Sequence, residues 1–199
     1  MIEALFGRGT FLGLHRGFLA LEAMPGKRVL NIGCGDGFFD RWLFSEVAEH
    51  VDSIDIEDSA IDLAIARHSA SNITYRLMDA TKEFSARAYH VIVWDGAIGH
   101  FDPKAVDSML KRIFDALNPG GVFDGSESLG TEGTDHLQFF ATANDLVRVL
   151  SSHFPNAHAK TLSYRLRPGG YLRTEAYWKA TKGPESTISS MGVRSSGSV

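Results

Sequence analysis

Cysteine is nearly absent from this sequence. Its 199 residues hold one, Cys34, which excludes an intrachain disulfide and any cysteine-built zinc site. Long apolar runs are missing too: no stretch approaches the roughly 18 residues that a membrane-spanning helix needs. The N-terminal stretch interleaves Arg8, His15, Arg16 and Glu22 with apolar side chains, so it lacks the unbroken core of a secretory signal. These absences lead us to expect a reducing, cytoplasmic setting. Positive charge is not in excess either. Against 20 Lys and Arg stand 24 Asp and Glu, a formal net charge of −4, so no electrostatic footprint for nucleic acid is present. The densest basic group, Arg165, Arg167 and Arg173, reads as a solvated turn.

Several catalytic signatures are also lacking. There is no Gly-x-Ser-x-Gly elbow for a serine hydrolase. There is no Gly-Lys-Ser/Thr run for a phosphate-binding P-loop. The eight histidines are scattered, none in a His-x-x-x-His pair beside an acid, and Asp95 with Asp102 is thin support for magnesium, so no metal is expected.

What is present is an alternation of strand-like and helix-like segments. Residues 11–24 have the spacing of an amphipathic helix, stopped by Pro25-Gly26. Arg28 to Ile32 is a short apolar run of the kind buried on both faces of a sheet. A glycine cluster follows, then a helix from about Gly37 with an expected inward stripe of Phe39, Trp42, Leu43 and Val47. Strands are predicted at 51–56, 73–77, 90–94 and 122–124, with a helix over 59–69. Asp102-Pro103 opens another helix, Asp at the N-cap and Pro at the first turn, with the stripe Val106, Leu110, Ile113 and Leu117. Thr142-x-x-Asp145 is a capping box for a helix reaching about His153. Two β-like runs near 157–166 and 171–180, joined through Pro168-Gly169-Gly170, read as a hairpin. The order implies a mostly parallel, doubly wound α/β sheet of seven strands with an antiparallel C-terminal hairpin. We expect one domain over 1–180. Residues 183–199, with six Ser and three Gly, read as a disordered tail.

The informative stretch is Leu30-Asn31-Ile32-Gly33-Cys34-Gly35-Asp36-Gly37-Phe38, a strand that runs through a glycine turn into a helix. Such turns lie at the carboxyl ends of parallel strands, where ligands bind. The free N–H groups of the following helix are expected to face an anionic group there. The spacing is G-x-G-x-G. A dinucleotide fingerprint would place its third glycine at Phe38, which argues against a nicotinamide cofactor. Asp55 ends the second strand 22 residues after Gly33, near the spacing for an acid that grips ribose hydroxyls, with Glu57 as competitor. Asp79 follows the third strand and is placed to bind an adenine amino group.

These motifs resemble the class I S-adenosylmethionine-dependent methyltransferases. The glycine loop is similar to that family's first motif, Met78-Asp79-Ala80 to its adenine-contacting segment, Tyr89 to Phe101 to its fourth-strand motif, and Leu117-Asn118-Pro119-Gly120-Gly121-Val122 to the turn before its fifth strand. The resemblance implies S-adenosyl-L-methionine as cofactor, contacted by Asn31, Gly33, Cys34, Gly35, Gly37, Asp55, Ile56, Asp79, Ala80 and Asp95. It also implies a methyl transferase acting on a small-molecule acceptor, such as a sugar or natural-product intermediate. A non-catalytic cofactor-binding module and a protein methyltransferase are the alternatives. His100 and Asp95 are the candidate catalytic groups beyond the fourth strand, because a general base assists a hydroxyl or ammonium nucleophile. Glu127, His136 and the pair Phe139-Phe140 form a candidate substrate wall. Two departures stand out. The first-motif position that usually carries Asp is Asn31, which adds no negative charge near the sulfonium. The fourth motif also lacks the Asn/Asp-Pro-Pro-Tyr run used on nucleobase nitrogens and glutamine.

Overall fold

The computed structural model describes residues 20–83, 88–131, 136–165 and 170–183. Seven strands form one sheet: β1 (Arg28–Ile32), β2 (His50–Asp55), β3 (Ile73–Leu77), β4 (Tyr89–Asp95), β5 (Leu117–Ser128), β6 (His158–Arg165) and β7 (Leu172–Thr181). Their order is β3-β2-β1-β4-β5-β7-β6. The first five pair in parallel, and β7 runs antiparallel between β5 and β6. The strand order reverses at β1 and β4, so a crevice opens at the carboxyl ends of those two neighbours.

The helices are α1 (Phe38–Trp42), α2 (Asp58–His68), α3 (Pro103–Ala116) and α4 (Ala143–Leu150), with short 3₁₀ turns at Phe44–Glu46 and Ile98–His100. The caps form as the sequence implies. Asp102 accepts from the backbone N–H groups of Lys104 and Ala105 at the start of α3. Thr142 and Asp145 close a reciprocal capping box on α4.

Apolar side chains fill both faces of the sheet. On one face Ile92, Trp94, Leu110, Ile113, Phe123 and Phe154 are fully buried beneath α3 and α4. On the other, Val29, Val51, Val91 and Val93 pack with Met24 and Phe44. This two-sided burial is why Val91 to Trp94 of β4 reads as a continuous apolar run and Val29 to Ile32 of β1 as one broken only by Asn31.

The segment after Gly37 departs from expectation. Its α-helix is only five residues long, and Trp42 and Val47 are exposed rather than inward. Phe44, on the following 3₁₀ turn, takes the core position, and Asp40 is fully buried. A helix that ends after one turn cannot keep the 3.6-residue stripe that the apolar spacing suggested. Of the expected N-terminal helix 11–24, the described part is its end at Ala20-Leu21, and residues 11–19 lie outside the described residues, as do Pro168-Gly169 of the hairpin and residues 184–199 of the tail.

Candidate active site

The glycine loop is fastened to the second strand. Gly33 and Cys34 donate their N–H groups to the Ile54 carbonyl at 2.8 and 3.1 Å. Gly33, Gly35 and Gly37 have φ of 73°, 55° and 75°, a left-handed conformation that side chains resist. At Gly37 space forbids a side chain as well: a Cβ there would lie 2.8 Å from Cζ of Tyr75 and closer still to its hydroxyl. At Gly35 a Cβ would meet nothing within 4 Å. The bare backbone there faces open space, as a cradle for a ligand requires.

The helix terminus offers less than the sequence suggested. Gly37 N–H donates to the Cys34 carbonyl and Phe38 N–H to Asp36 Oδ1, so the loop itself uses these groups. With only one turn behind them the helix dipole is small.

Asp55, at the tip of β2, faces the loop. Its Oδ2 accepts from Gly35 N–H at 2.8 Å and its Oδ1 from Glu57 N–H at 3.0 Å. A carboxylate has about four acceptor positions, so two remain for other donors. Ile56 beside it is 63% exposed, an apolar side chain without cover at the crevice edge. Glu57 caps α2 by backbone only.

Beside the loop lies a pocket of about 220 Å³ whose lining includes Asn31, Gly33, Gly35, Phe39, Val93 and Asp95. Asn31 is buried, and its Nδ2 donates to Asp40 Oδ1 at 2.7 Å. Burial pushes the Asp40 carboxyl up to about 7, against the pull of the Asn31 and Ser53 side chains. Cys34 also lines the pocket. Burial, then the charges of Asp40 and Asp55, push its thiol well above the ordinary range, so it is an uncharged packing residue rather than a nucleophile. A larger pocket, about 390 Å³, sits on the same sheet face over Asp124, Tyr177 and Lys179. Its lining contains no part of the glycine loop.

At the end of β4, Asp95 accepts a hydrogen bond from the Ser126 hydroxyl, and Gly96 N–H donates to the Ser126 carbonyl at 2.7 Å. The following 3₁₀ turn carries His100. Its ring meets that of His136 edge-on, centroids 4.5 Å apart. The two histidines are 36 positions apart in sequence, and the fold brings them together. Leu137 and Gln138 donate backbone N–H groups to the Gly99 carbonyl, and the Gln138 side chain donates to the Ile98 and Phe101 carbonyls. Glu127 is buried: it accepts from Gly99 N–H at 2.9 Å and from Ser128 N–H at 2.7 Å. It braces the His100 turn instead of lining a substrate wall. Of the aromatic pair, Phe140 is buried and Phe139 half exposed.

Asp79 is engaged by its own turn. It accepts from the Thr81 N–H and hydroxyl and pairs with Lys82 at 2.9 Å. The Thr81 hydroxyl and then Lys82 hold its carboxyl at about 2. Ala80, next to it, packs on the core with Met78.

Sequence reasoning passed over Asp40 and Tyr75. Asp40 stands among Phe38, Phe39 and Trp42, and a charged residue inside an apolar run was the available signal. Tyr75 gave none, since it reaches Gly37 only through the pairing of β2 with β3.

Residues 29–121 match a family model described as a methyltransferase domain. Phosphoethanolamine N-methyltransferase 1 of Triticum aestivum is 28% identical over 124 residues, 61% of this chain and 24% of that protein. The chain spans about a quarter of the length of the curated relatives it first matches. Among solved structures, the N-methyltransferase NodS of Bradyrhizobium japonicum with S-adenosyl-L-homocysteine aligns at a TM-score of 0.66 and 20% identity, over 88% of this chain and 87% of that one. Phosphoethanolamine N-methyltransferase 2 of Haemonchus contortus, with phosphomonomethylethanolamine and S-adenosylhomocysteine, aligns at 0.71 and 17% identity, over 91% and 56%. Over residues 29–121, a little under half of its length, the chain is thus similar to a methyltransferase domain, and it shares the fold of these solved structures.

Proposed function

We propose that this chain transfers a methyl group from S-adenosylmethionine to a small-molecule acceptor, with an amine nitrogen as the first accepting atom to test. The observation that carries the reading is the open Gly35 backbone, held in place by Asp55 at the tip of β2 and bordered by the Asn31–Asp95 pocket. The cofactor would lie along Gly33, Cys34, Gly35 and Gly37, with Asp55 toward its ribose, Ile56 and Ala80 toward its base and Asp95 toward its amino-acid end. Asp79 has less to offer the base, since Thr81 and Lys82 already occupy its carboxylate.

When bound, the sulfonium supplies the activation for methyl transfer. The chain's own part is to position the nucleophile, shed water and take up a proton. His100 is our candidate for the last task; the turn that carries it is anchored by Glu127 and Gln138. The choice of nitrogen is supported by those relatives and neighbours whose names specify N-methylation, although a carboxy-S-adenosyl-L-methionine synthase and a [4+2]-cyclase are also similar to this chain. A small acceptor, no nucleic acid partner and a cytoplasmic setting complete the proposal. Among the described residues no helix is long and apolar enough to cross a membrane.

The test is a screen of small amines, phosphoethanolamine among them, with methyl-labelled donor and mass-spectrometric detection of product. Label in an amine product that disappears in His100→Ala supports the reading. Cofactor binding without turnover across amines, hydroxyls and sugars would instead favour a non-catalytic binding module.

A further inference from the structure

Asn31 leaves the first motif without its usual acid, yet the pocket is not without an acid. Asp40 lies directly behind Asn31, fully buried, one turn into the helix that follows the loop. Its Oδ1 takes the Asn31 amide at 2.7 Å. Its Oδ2 is buried with the Ser53 hydroxyl on β2, the one other side chain besides Asn31 that draws the carboxyl down. Ser53 pairs in register with Asn31, so the three side chains share the sheet face that backs the pocket.

Among the described residues no cation acts on this acid. The charged and titratable groups that interact with it among the described residues are Asp36 and Cys34 on the loop and Tyr75 on β3, none of them basic. Arg41, next in sequence, is turned to Glu46 at 2.8 Å. A buried carboxylate among other acids is held partly protonated by burial, and the least costly relief is an incoming positive charge. The adjoining pocket wall is Asn31, whose amide links that space to the carboxylate.

We propose that Asp40, acting through Asn31, is the electrostatic counterpart of the methyl donor's positive charge and sets the preference for the cationic donor over its uncharged-sulfur product. The idea rests on the cofactor reading above. Asp40 is a positioning residue: it stands behind the wall and acts through the amide. A cation entering the pocket lowers the carboxyl's proton affinity, so donor binding releases a proton. Burial holds that carboxyl near 7 before binding, so affinity tightens as pH rises from about 6 to about 8.

The experiment is isothermal titration of the full chain with S-adenosylmethionine and S-adenosylhomocysteine. It is run at about pH 6 and about pH 8, in buffers of different ionisation enthalpy so that proton release is read directly. Asp40→Asn keeps the shape and removes the charge. It is expected to weaken donor binding about tenfold at the higher pH, the equivalent of one unit of carboxyl shift. It should also shrink the donor-over-product preference and abolish proton release. The exchange variant Asn31→Asp/Asp40→Asn returns a carboxylate to the pair and should regain the preference. Wild-type affinity, preference and pH response in Asp40→Asn would overturn the proposal. If Asp40→Asn does not fold, the exchange variant decides: a retained preference supports the proposal and a lost one overturns it. A wild-type chain that binds neither ligand brings down the cofactor reading, and this inference with it. Donor binding that ignores Asp40 brings down this inference alone.

Discussion

Replacing Gly37 by Ala tests how the loop is built. Two penalties act there. The left-handed φ of 75° costs a non-glycine residue about 1–2 kcal/mol. The new Cβ would also fall 2.8 Å from Tyr75 Cζ, so the ring must move. That ring's hydroxyl donates to the His68 carbonyl at 3.0 Å and the Gly37 carbonyl at 3.4 Å, and losing such bonds costs about 1 kcal/mol apiece. Gly37→Ala should therefore lose about 2–4 kcal/mol. Gly35→Ala, with a similar φ of 55° and nothing within 4 Å of its Cβ, should lose only the backbone part, about 1–2 kcal/mol. Urea unfolding at constant m-value measures both, and each kcal/mol corresponds to about 2–4 °C in Tm for a chain of this size. Shortening the ring with Tyr75→Leu should bring the Gly37→Ala increment down to that of Gly35→Ala, a coupling that a double-mutant cycle isolates. Equal losses at the two glycines in the wild-type background would refute the account of Tyr75 as the wall behind the loop.

Other expectations follow from single contacts. Asp102→Ala removes an acceptor that takes two backbone N–H groups at 2.9 Å, and should cost about 1 kcal/mol in the same unfolding assay. Burial, opposed by Lys179, pushes the Asp124 carboxyl up to about 7, so the folded chain keeps a proton that the unfolded chain sheds near its ordinary 3.9. That contribution is full below the unfolded value and fades as pH rises through 7. Asp124→Asn should therefore gain stability relative to wild type between about pH 5 and about pH 8, and parallel pH–stability curves would contradict this. His100→Ala should slow methyl transfer by about 10²–10⁴-fold while leaving cofactor affinity within about twofold, measured by single-turnover kinetics and titration. A matching loss of affinity would mean that His100 shapes the cofactor pocket instead.

Much of this architecture is legible in the chain. Val29 to Ile32 and Val91 to Trp94 are covered on both faces, and burial of that kind leaves a run that is apolar throughout in β4 and apolar but for Asn31 in β1. Asp102-Pro103 and Thr142-x-x-Asp145 are local capping signals whose hydrogen bonds need no tertiary help. Legibility fails where a side chain's partner is distant in sequence. Trp42 looked like core because periodicity assumed a full helix, whereas Phe44 on a 3₁₀ turn reaches the interior. Asp79 looked aimed at a ligand, but Thr81 two residues on captures its carboxylate. Asn31 looked like a simple loss of charge until Asp40 was found behind it. The meeting of His100 with His136 depends on the loop after β5 returning over the 98–101 turn, which no local pattern encodes.

The account stands most directly on whether a sulfonium nucleoside occupies the Gly33–Gly37 loop under the control of Asp55. Equilibrium titration of the wild-type chain with S-adenosylhomocysteine, beside an Asp55→Ala variant of unchanged melting temperature, measures this. Saturable one-to-one binding that weakens at least about tenfold in the variant is the expected result, since the variant loses both the brace on Gly35 and the acceptor for ribose. No binding by the wild type, or equal affinity in the two proteins, would contradict it.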